Sequence, residues 1–407
     1  MISVTNARKW YSAILLFLVL TGCDYFTQYY VSPSGSDAVG DGSQLSPWKT
    51  INYALNNINY SQAIPILNVA SGAYDEKITI SNAIIINGAG SDQVTVQNSQ
   101  AGDSDFVITV NGSILNTVGN IFVMLKGMKV DGRIKNRGVK GIQTMLLMDD
   151  VNVFQPGGFG IVIAENCFFN ISNCTVGTIG YAGWSYSDIG IDVGNYSTGT
   201  ITNFSGGDHI DHIINIRPGC NVTISDSVLQ GSPIYYADGI RIQGASNVSI
   251  INTSIIRPPD SELPPEGEVN PFYCGIEAGS SSDGHALVMV KNCTINGFDV
   301  GIGINMMWNE ISVQDCTISG NISADLKTIW HGYGPAVYPV VDLGGGDLGS
   351  PGGNDFGMGD EYAVVLEGPY DVFARYNNWG VIGITIEDRI IDRLDNPLLG
   401  RVYYSLD

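Results

Sequence analysis

The chain has 407 residues, 51 of them glycine, and only 14% of its residues are charged. A long helical or disordered chain would carry more charge, so this composition points to many short strands joined by tight turns. Nineteen basic residues against 40 acidic ones give a net charge of −21, which argues against nucleic acid or an anionic lipid surface as a partner.

Arg8 and Lys9 precede an apolar run, Trp10 to Leu20. That run is about half the ~20 residues a spanning helix needs, so residues 1–22 read as a secretory signal. The run closes on Leu20-Thr21-Gly22-Cys23, which resembles the bacterial lipobox. The resemblance implies that Cys23 is acylated and becomes the new N-terminus, with 23–28 as a lipidated linker. Several acyl chains on one Cys anchor a protein stably. The expected location is the cell envelope, periplasmic side or cell surface, held through the lipid alone. The alternative is an ordinary signal peptide with an incidental Cys. Removing 1–22 leaves 17 basic and 40 acidic residues, a net −23. An acidic polysaccharide would then need a bridging cation or a local basic patch.

Ser46 is a good helix N-cap and Pro47 suits a first helical position. Ile51, Ala54, Leu55 and Ile58 follow at helical spacing. An amphipathic cap helix is predicted over 46–59.

Beyond it a two-part pattern recurs. The first part is a short Gly-Ile strand, at Gly141, Gly160, Gly190, Gly239, Gly275 and Gly301, with Ile213-Ile214 as a variant. The second is an aliphatic strand closed by Asn or Asp and then Cys, Ser or Thr, as in Ile171-Ser172-Asn173-Cys174 and Val313-Gln314-Asp315-Cys316. The separation between the two parts is 10 residues in four repeats: Ile161 to Ile171, Ile191 to Ile201, Ile214 to Ile224 and Ile240 to Ile250. Three short strands and three turns fill a repeat of 23 or 26 residues, so each repeat reads as one coil of a solenoid. Alternation puts Ile191 and Val193 inside and Asp192 outside. The column Asp149, Asn173, Asn203, Asp226, Asn252, Asn292, Asp315 falls at a corner. Stacked amides there can bond along the axis and tolerate left-handed backbone. Cys174, Cys293 and Cys316 share the next column with Ser227 and Thr253, so they read as packed thiols. A disulfide stays open, with Cys293 and Cys316 as the pair on neighbouring coils.

The opening Tyr29-Tyr30-Val31-Ser32-Pro33-Ser34-Gly35, the stretches Ser46-Pro47-Trp48-Lys49-Thr50-Ile51 and Gly72-Ala73-Tyr74-Asp75-Glu76, and the closing Asn377-Asn378-Trp379-Gly380 carry a resemblance. The chain is similar to the pectin-lyase-like, right-handed parallel β-helix superfamily. Within it the chain resembles a branch of secreted bacterial lipoproteins that open with a domain of unknown function. The resemblance covers 29–404. It implies an all-β fold, with 29–407 a single domain: cap helix 46–59, regular coils 141–318, a Gly-rich insertion 319–362, and a last coil with C-terminal cap 363–407. A monomer is expected. The superfamily holds lyases, hydrolases and inert surface proteins, so the activity stays open.

The superfamily also implies a substrate cleft on the outer face of the first strand of each coil. The outward residues there are Asp192, Asn215, Arg241 and Glu277, with Asp188, Asp211, His212 and Asp238 just before the strands and His209, Tyr235 and Tyr236 in the loops. Stacked at coil spacing they form a strip ~15 Å long. Asp192, Asp211, Asp238, Arg241 and Glu277 are the candidate catalytic residues, and Asp188, His209, His212, Asn215, Tyr235 and Tyr236 the candidate substrate-binding residues. Such a mixture can supply a general acid and base, a cation site or a sugar groove. Exposed first-strand residues must be polar in any case, and Asp before Gly is an ordinary turn residue. Tyr236-Ala237-Asp238-Gly239 resembles the Asn-Thr-Asp-Gly motif of polygalacturonase-type hydrolases, but Cys274-Gly275-Ile276-Glu277 stands where a paired Asp is expected. Gly352-Gly353-Asn354-Asp355 resembles one calcium-binding nonapeptide repeat, so calcium is the cofactor to test. Two readings follow: an envelope protein that binds or cleaves a polysaccharide on this face, or a non-catalytic surface or adhesion scaffold.

Overall fold

The structure is a computed structural model that describes residues 26–61, 63–100, 105–112, 121–177, 189–207, 212–231, 238–259, 273–279, 285–305, 309–329, 339–357, 362–381 and 385–405. Residues 1–25, with the expected signal and Cys23, lie outside the described residues.

Two sheets, of 12 and 23 strands, run along the chain, and coil stacks on coil in parallel. One coil consists of His212–Ile216 in the 12-stranded sheet, then Asn221–Ser225 and Val228–Gln230 in the other. The fold is the expected parallel β-helix. Its core is a set of ladders. Ile161, Ile191, Ile214, Ile240, Ile276, Ile302, Leu326 and Val364 stand in register on successive coils, all buried. Fully burying one such side chain stabilises by roughly 1.5–3 kcal/mol, and a coil completes its burial only through the coils on either side.

The Gly in each Gly-Ile pair is a matter of space. A Cβ on Gly239 would meet Gly275 O and Ile255 Cγ2, each at 2.5 Å. The isoleucine of the third strand occupies that room. At the one variant position the arrangement reverses, and Ile213 fills space left by Gly206.

The corner between the second and third strands is left-handed, with φ between +49° and +54° at Asp150, Asn173, Asn203, Asp226, Asn252, Asn292 and Asp315. Asp150, not the expected Asp149, takes the corner backbone, because Asp149 pairs with Ser172 within the strand. The amides do bond along the axis: Asn203 Nδ2 donates to Asn173 Oδ1 (2.7 Å), Asn252 to Asp226 (3.0 Å) and Asn292 to Asn252 (3.1 Å). Asp149 joins this ladder through its side chain, accepting from Asn173 (2.6 Å). The next column does more than pack. Ser227 Oγ, Thr253 Oγ1, Cys293 Sγ and Cys316 Sγ each donate to the carbonyl two residues earlier. Cysteine here performs the local bond of a serine. All six described cysteines are free thiols.

The N-terminal helix, α1 (Ile51–Asn57), is shorter than 46–59. Trp48 forms an extended bridge with Val31, and Pro47 O accepts from Ser36 N, so the chain is not yet helical there. Thr50 is the N-cap, accepting from Tyr53 N. The Glu76 carboxylate takes the N–H groups of Ile51 and Asn52, both at 2.9 Å, where a helix start favours negative charge. Coils also begin earlier than 141, with Ile66–Val69, Ile84–Gly88 and Ile121–Asp131 already stacked. The stretch 319–362 contains coil strands, Ala324–Ile329, Val340–Gly344 and Asp355–Phe356, and Gly-rich residues 345–354 stand between the last two. At the far end Arg389 is buried and its Nη1 donates to the carbonyls of Phe356, Gly357 and Trp379.

Candidate functional site

The outer face of the 12-stranded sheet presents one ladder in register: Lys140, Val162, Asp192, Asn215, Arg241, Glu277, Gly303, Lys327. The strip read from the sequence is thus a true column. It is not a solvated one. Asp192 (4% exposed), Asn215 (3%) and His212 (5%) are buried, and they are joined to one another or to neighbouring polar groups. Asp188, His209, Asp211, Tyr235 and Tyr236 lie outside the described residues, so five of the eleven expected site residues have no placement.

Two linked clusters occupy the strip. In the first, Asp192 is held by the Arg217 guanidinium through Nε (3.0 Å) and Nη2 (2.9 Å), and Asn215 Nδ2 donates to its Oδ1 (2.8 Å). Gln243 Nε2 reaches Asn215 Oδ1 at 3.3 Å. The Asp192 carboxylate raises the Arg217 pKa further, chiefly by hydrogen bonding. A fork-on-carboxylate pair of this kind fixes geometry as well as charge.

In the second cluster, Arg241 joins two coils. Its Nε lies 3.1 Å from Glu277 Oε2 and its Nη1 3.1 Å from His212 Nε2. A guanidinium only donates, so Nε2 is the acceptor and the imidazole proton sits on Nδ1. That nitrogen is 3.2 Å from Asp238 Oδ2. Asp238 Oδ1 accepts from Cys274 N (2.7 Å), and Glu277 Oε1 accepts from Asn305 Nδ2 (2.8 Å). Burial raises the Glu277 pKa and the Asp238 charge adds to the rise, while Arg241 and Asn305 oppose it. Burial likewise pushes the Cys274 thiol well up.

Arg217, Gln243 and Asn305 were missed in the sequence. Each stands two residues beyond a strip residue (Asn215, Arg241, Gly303), so period-2 alternation was the available signal. The calcium expectation meets a closed structure. Asn354 is buried with its amide donating to Val313 O, Leu343 O and Asn377 Oδ1, and Asp355 Oδ1 accepts from Asn378. Among the described residues no group of three or more His, Cys, Asp or Glu is placed to hold a metal ion.

No family model and no curated protein matches the chain. Among solved structures it is similar to pectate lyase Pel9A, at 14% identity over 88% of this chain and 81% of that one, with a TM-score of 0.45. It is similar to the A-module of mannuronan C-5 epimerase AlgE6 from Azotobacter vinelandii, at 12% identity over 88% and 95%, with a TM-score of 0.48. It is also similar to the GH136 lacto-N-biosidase from Eubacterium ramulus, at 12% identity over 98% and 70%, with a TM-score of 0.42. The parallel β-helix is established by the strand register itself, and at these values the likenesses carry no statement about the site.

Proposed function

We propose that this protein holds a polysaccharide along the outer face of the 12-stranded sheet and hydrolyses it at the Asp238–His212–Arg241–Glu277 cluster. The supporting observation is a pair of carboxylates on adjacent coils, Asp238 and Glu277, whose surroundings favour a proton on Glu277. A carboxyl kept protonated by its surroundings, facing a second carboxyl group, is the usual arrangement of acid and base in glycoside cleavage. In this reading Glu277 gives its proton to the glycosidic oxygen as the bond to the anomeric carbon breaks. Asp238 takes a proton from the water whose oxygen forms the new bond. Arg241 and His212 position the two carboxylates across the coil step.

A second reading is a non-catalytic envelope scaffold. It is favoured by Asp192, which is saturated by Arg217 and Asn215 and so acts as a polar staple between coils. In either reading we propose that Cys23 carries a lipid that anchors the protein to a membrane of the envelope. Incorporation of labelled fatty acid, lost in Cys23→Ala, tests the anchor. The two functional readings separate in an assay of new reducing ends on a polysaccharide panel, with the ultraviolet absorbance of unsaturated uronate followed in parallel. New ends without the absorbance mark hydrolysis, and ends with it mark a lyase.

A further inference from the structure

Six of the chain's 19 basic residues fall within 15 positions: Lys126, Lys129, Arg133, Lys135, Arg137 and Lys140. Three already have companions. Lys126 pairs with Asp149 at 2.8 Å, Lys129 lies over the Phe154 ring, and Arg133 Nε donates to Gln97. Arg137 and Lys140 differ. Both are in the strand Arg137–Ile142 of the 12-stranded sheet, and Lys140 belongs to the ladder that continues to Asp192, Asn215, Arg241 and Glu277.

The Arg137 guanidinium is 5.6 Å from the Phe106 ring centre and 5.0 Å from that of Phe159, and Lys140 Nζ is 5.6 Å from the same Phe106 ring. Among the described residues neither cation meets a carboxylate. Asp105, the acid beside Phe106, is engaged by Lys77 at 2.9 Å. Arg137 Nε is buried and has no hydrogen-bond partner among the described residues. In a chain this acidic, two cations on one sheet face that meet no carboxylate among the described residues are unusual, and the rings fix them in place.

We propose that Arg137 and Lys140, held by Phe106 and Phe159, form an anion seat on this face, and that the polymer bound there is an acidic polysaccharide carrying carboxylate or sulfate groups. The inference rests on the reading of the face given above and deepens it by naming the substrate class. A planar guanidinium can meet either oxyanion in a bidentate manner through its two Nη groups, and Lys140 adds a point charge. Lys140 stands five coil steps from Glu277, ~24 Å at sheet spacing. The seat would therefore grip a long chain several sugar units away from the bond being broken, and short oligosaccharides would not reach it. It also answers the charge problem: the overall charge repels an acidic polymer, and this patch supplies the local attraction.

The test is affinity electrophoresis of the full chain in gels containing polygalacturonate or alginate (carboxylate), chondroitin sulfate (sulfate), or dextran and xylan (neutral). Arg137→Ala/Lys140→Ala and Lys140→Glu are run beside the wild type, with far-ultraviolet circular dichroism to verify folding. Lys140→Glu, which leaves the ring-packed Arg137 in place, keeps the test valid if the double variant misfolds. The expected result is retardation by at least one acidic polymer, weakened about tenfold or more in both variants and relieved by salt, with Arg137→Lys retaining part of it. Whichever acidic gel retards identifies carboxylate or sulfate. Retardation by acidic polymers that survives both variants, or retardation by neutral polymers alone, overturns the anion seat and leaves the polysaccharide reading standing. No retardation by any polymer overturns both.

Discussion

Arg241 and Glu277 stand opposite one another on adjacent coils, and their side chains meet at 3.1 Å. The pair is half-buried, with side-chain exposures of 34% and 18%. Removing one partner of a fully buried pair costs about 3–5 kcal/mol, and an exposed pair is worth about 1 or less. Arg241→Ala is expected to destabilise by ~1–3 kcal/mol in urea denaturation. It also removes the donor to His212, so it should lower turnover more than Arg241→Lys does.

The raised pKa of Glu277 has a definite consequence for stability. A carboxyl whose folded pKa lies above its unfolded value contributes stability that is complete below the unfolded value, near 4.5, and is lost as pH rises through the folded one. At neutral pH the ionised form is a liability that Glu277→Gln removes. The melting temperature of Glu277→Gln relative to wild type should therefore be higher at pH 7 than at pH 4. A difference that is flat or reversed across that range would show that Arg241 outweighs burial.

The corner at Asn252 combines a φ of +50° with two axial bonds, to Asp226 and from Asn292. Asn252→Ala loses both bonds and places a less tolerant residue in left-handed backbone, at ~1–2 kcal/mol for the backbone alone. Asn252→Gly keeps the backbone and loses only the bonds. Denaturation midpoints should rank wild type above Gly above Ala.

Cys316 Sγ donates to Gln314 O and accepts from Cys293 N (3.4 Å). Serine can make both bonds and valine neither. Cys316→Ser is expected to cost under ~1 kcal/mol, and Cys316→Val ~1–3 kcal/mol because the buried Cys293 N–H loses this acceptor. Burial also pushes the Cys174 pKa to about 12 and that of Cys220 to about 11. Both should resist alkylation at pH 8 until the protein is unfolded, which mass spectrometry can follow.

The coil was legible because its signals are local and repeat. The ten-residue separation of Ile214 and Ile224, the corner asparagines and the glycine before each isoleucine all answer to backbone or packing needs within one turn. The helix start was misplaced for the same local reason. Ser46-Pro47 has the chemistry of a cap, but Trp48 is drawn into a bridge with Val31, and only the distant Asp37 and Glu76 make Thr50 the true start. The strands of 319–362 were hidden by glycine-rich composition, since Val341 is recognised as strand through its pairing with Ile311 and Val372 on the coils before and after. At the site, the column Asp192–Asn215–Arg241–Glu277 followed from periodicity. Its partners did not, because Arg217 and Asn305 stand just beyond the strip residues, outside the pattern that marks the column.

The most direct test of the central claim is reducing-end release by the full chain on acidic and neutral polysaccharides at pH 5–7, beside Glu277→Gln and Asp238→Asn. The account predicts new reducing ends without unsaturated-uronate absorbance, reduced 100-fold or more in both variants while their binding persists. Activity that is unchanged in both variants, or no product from any polymer, would contradict it and leave the buried strip as a staple between coils.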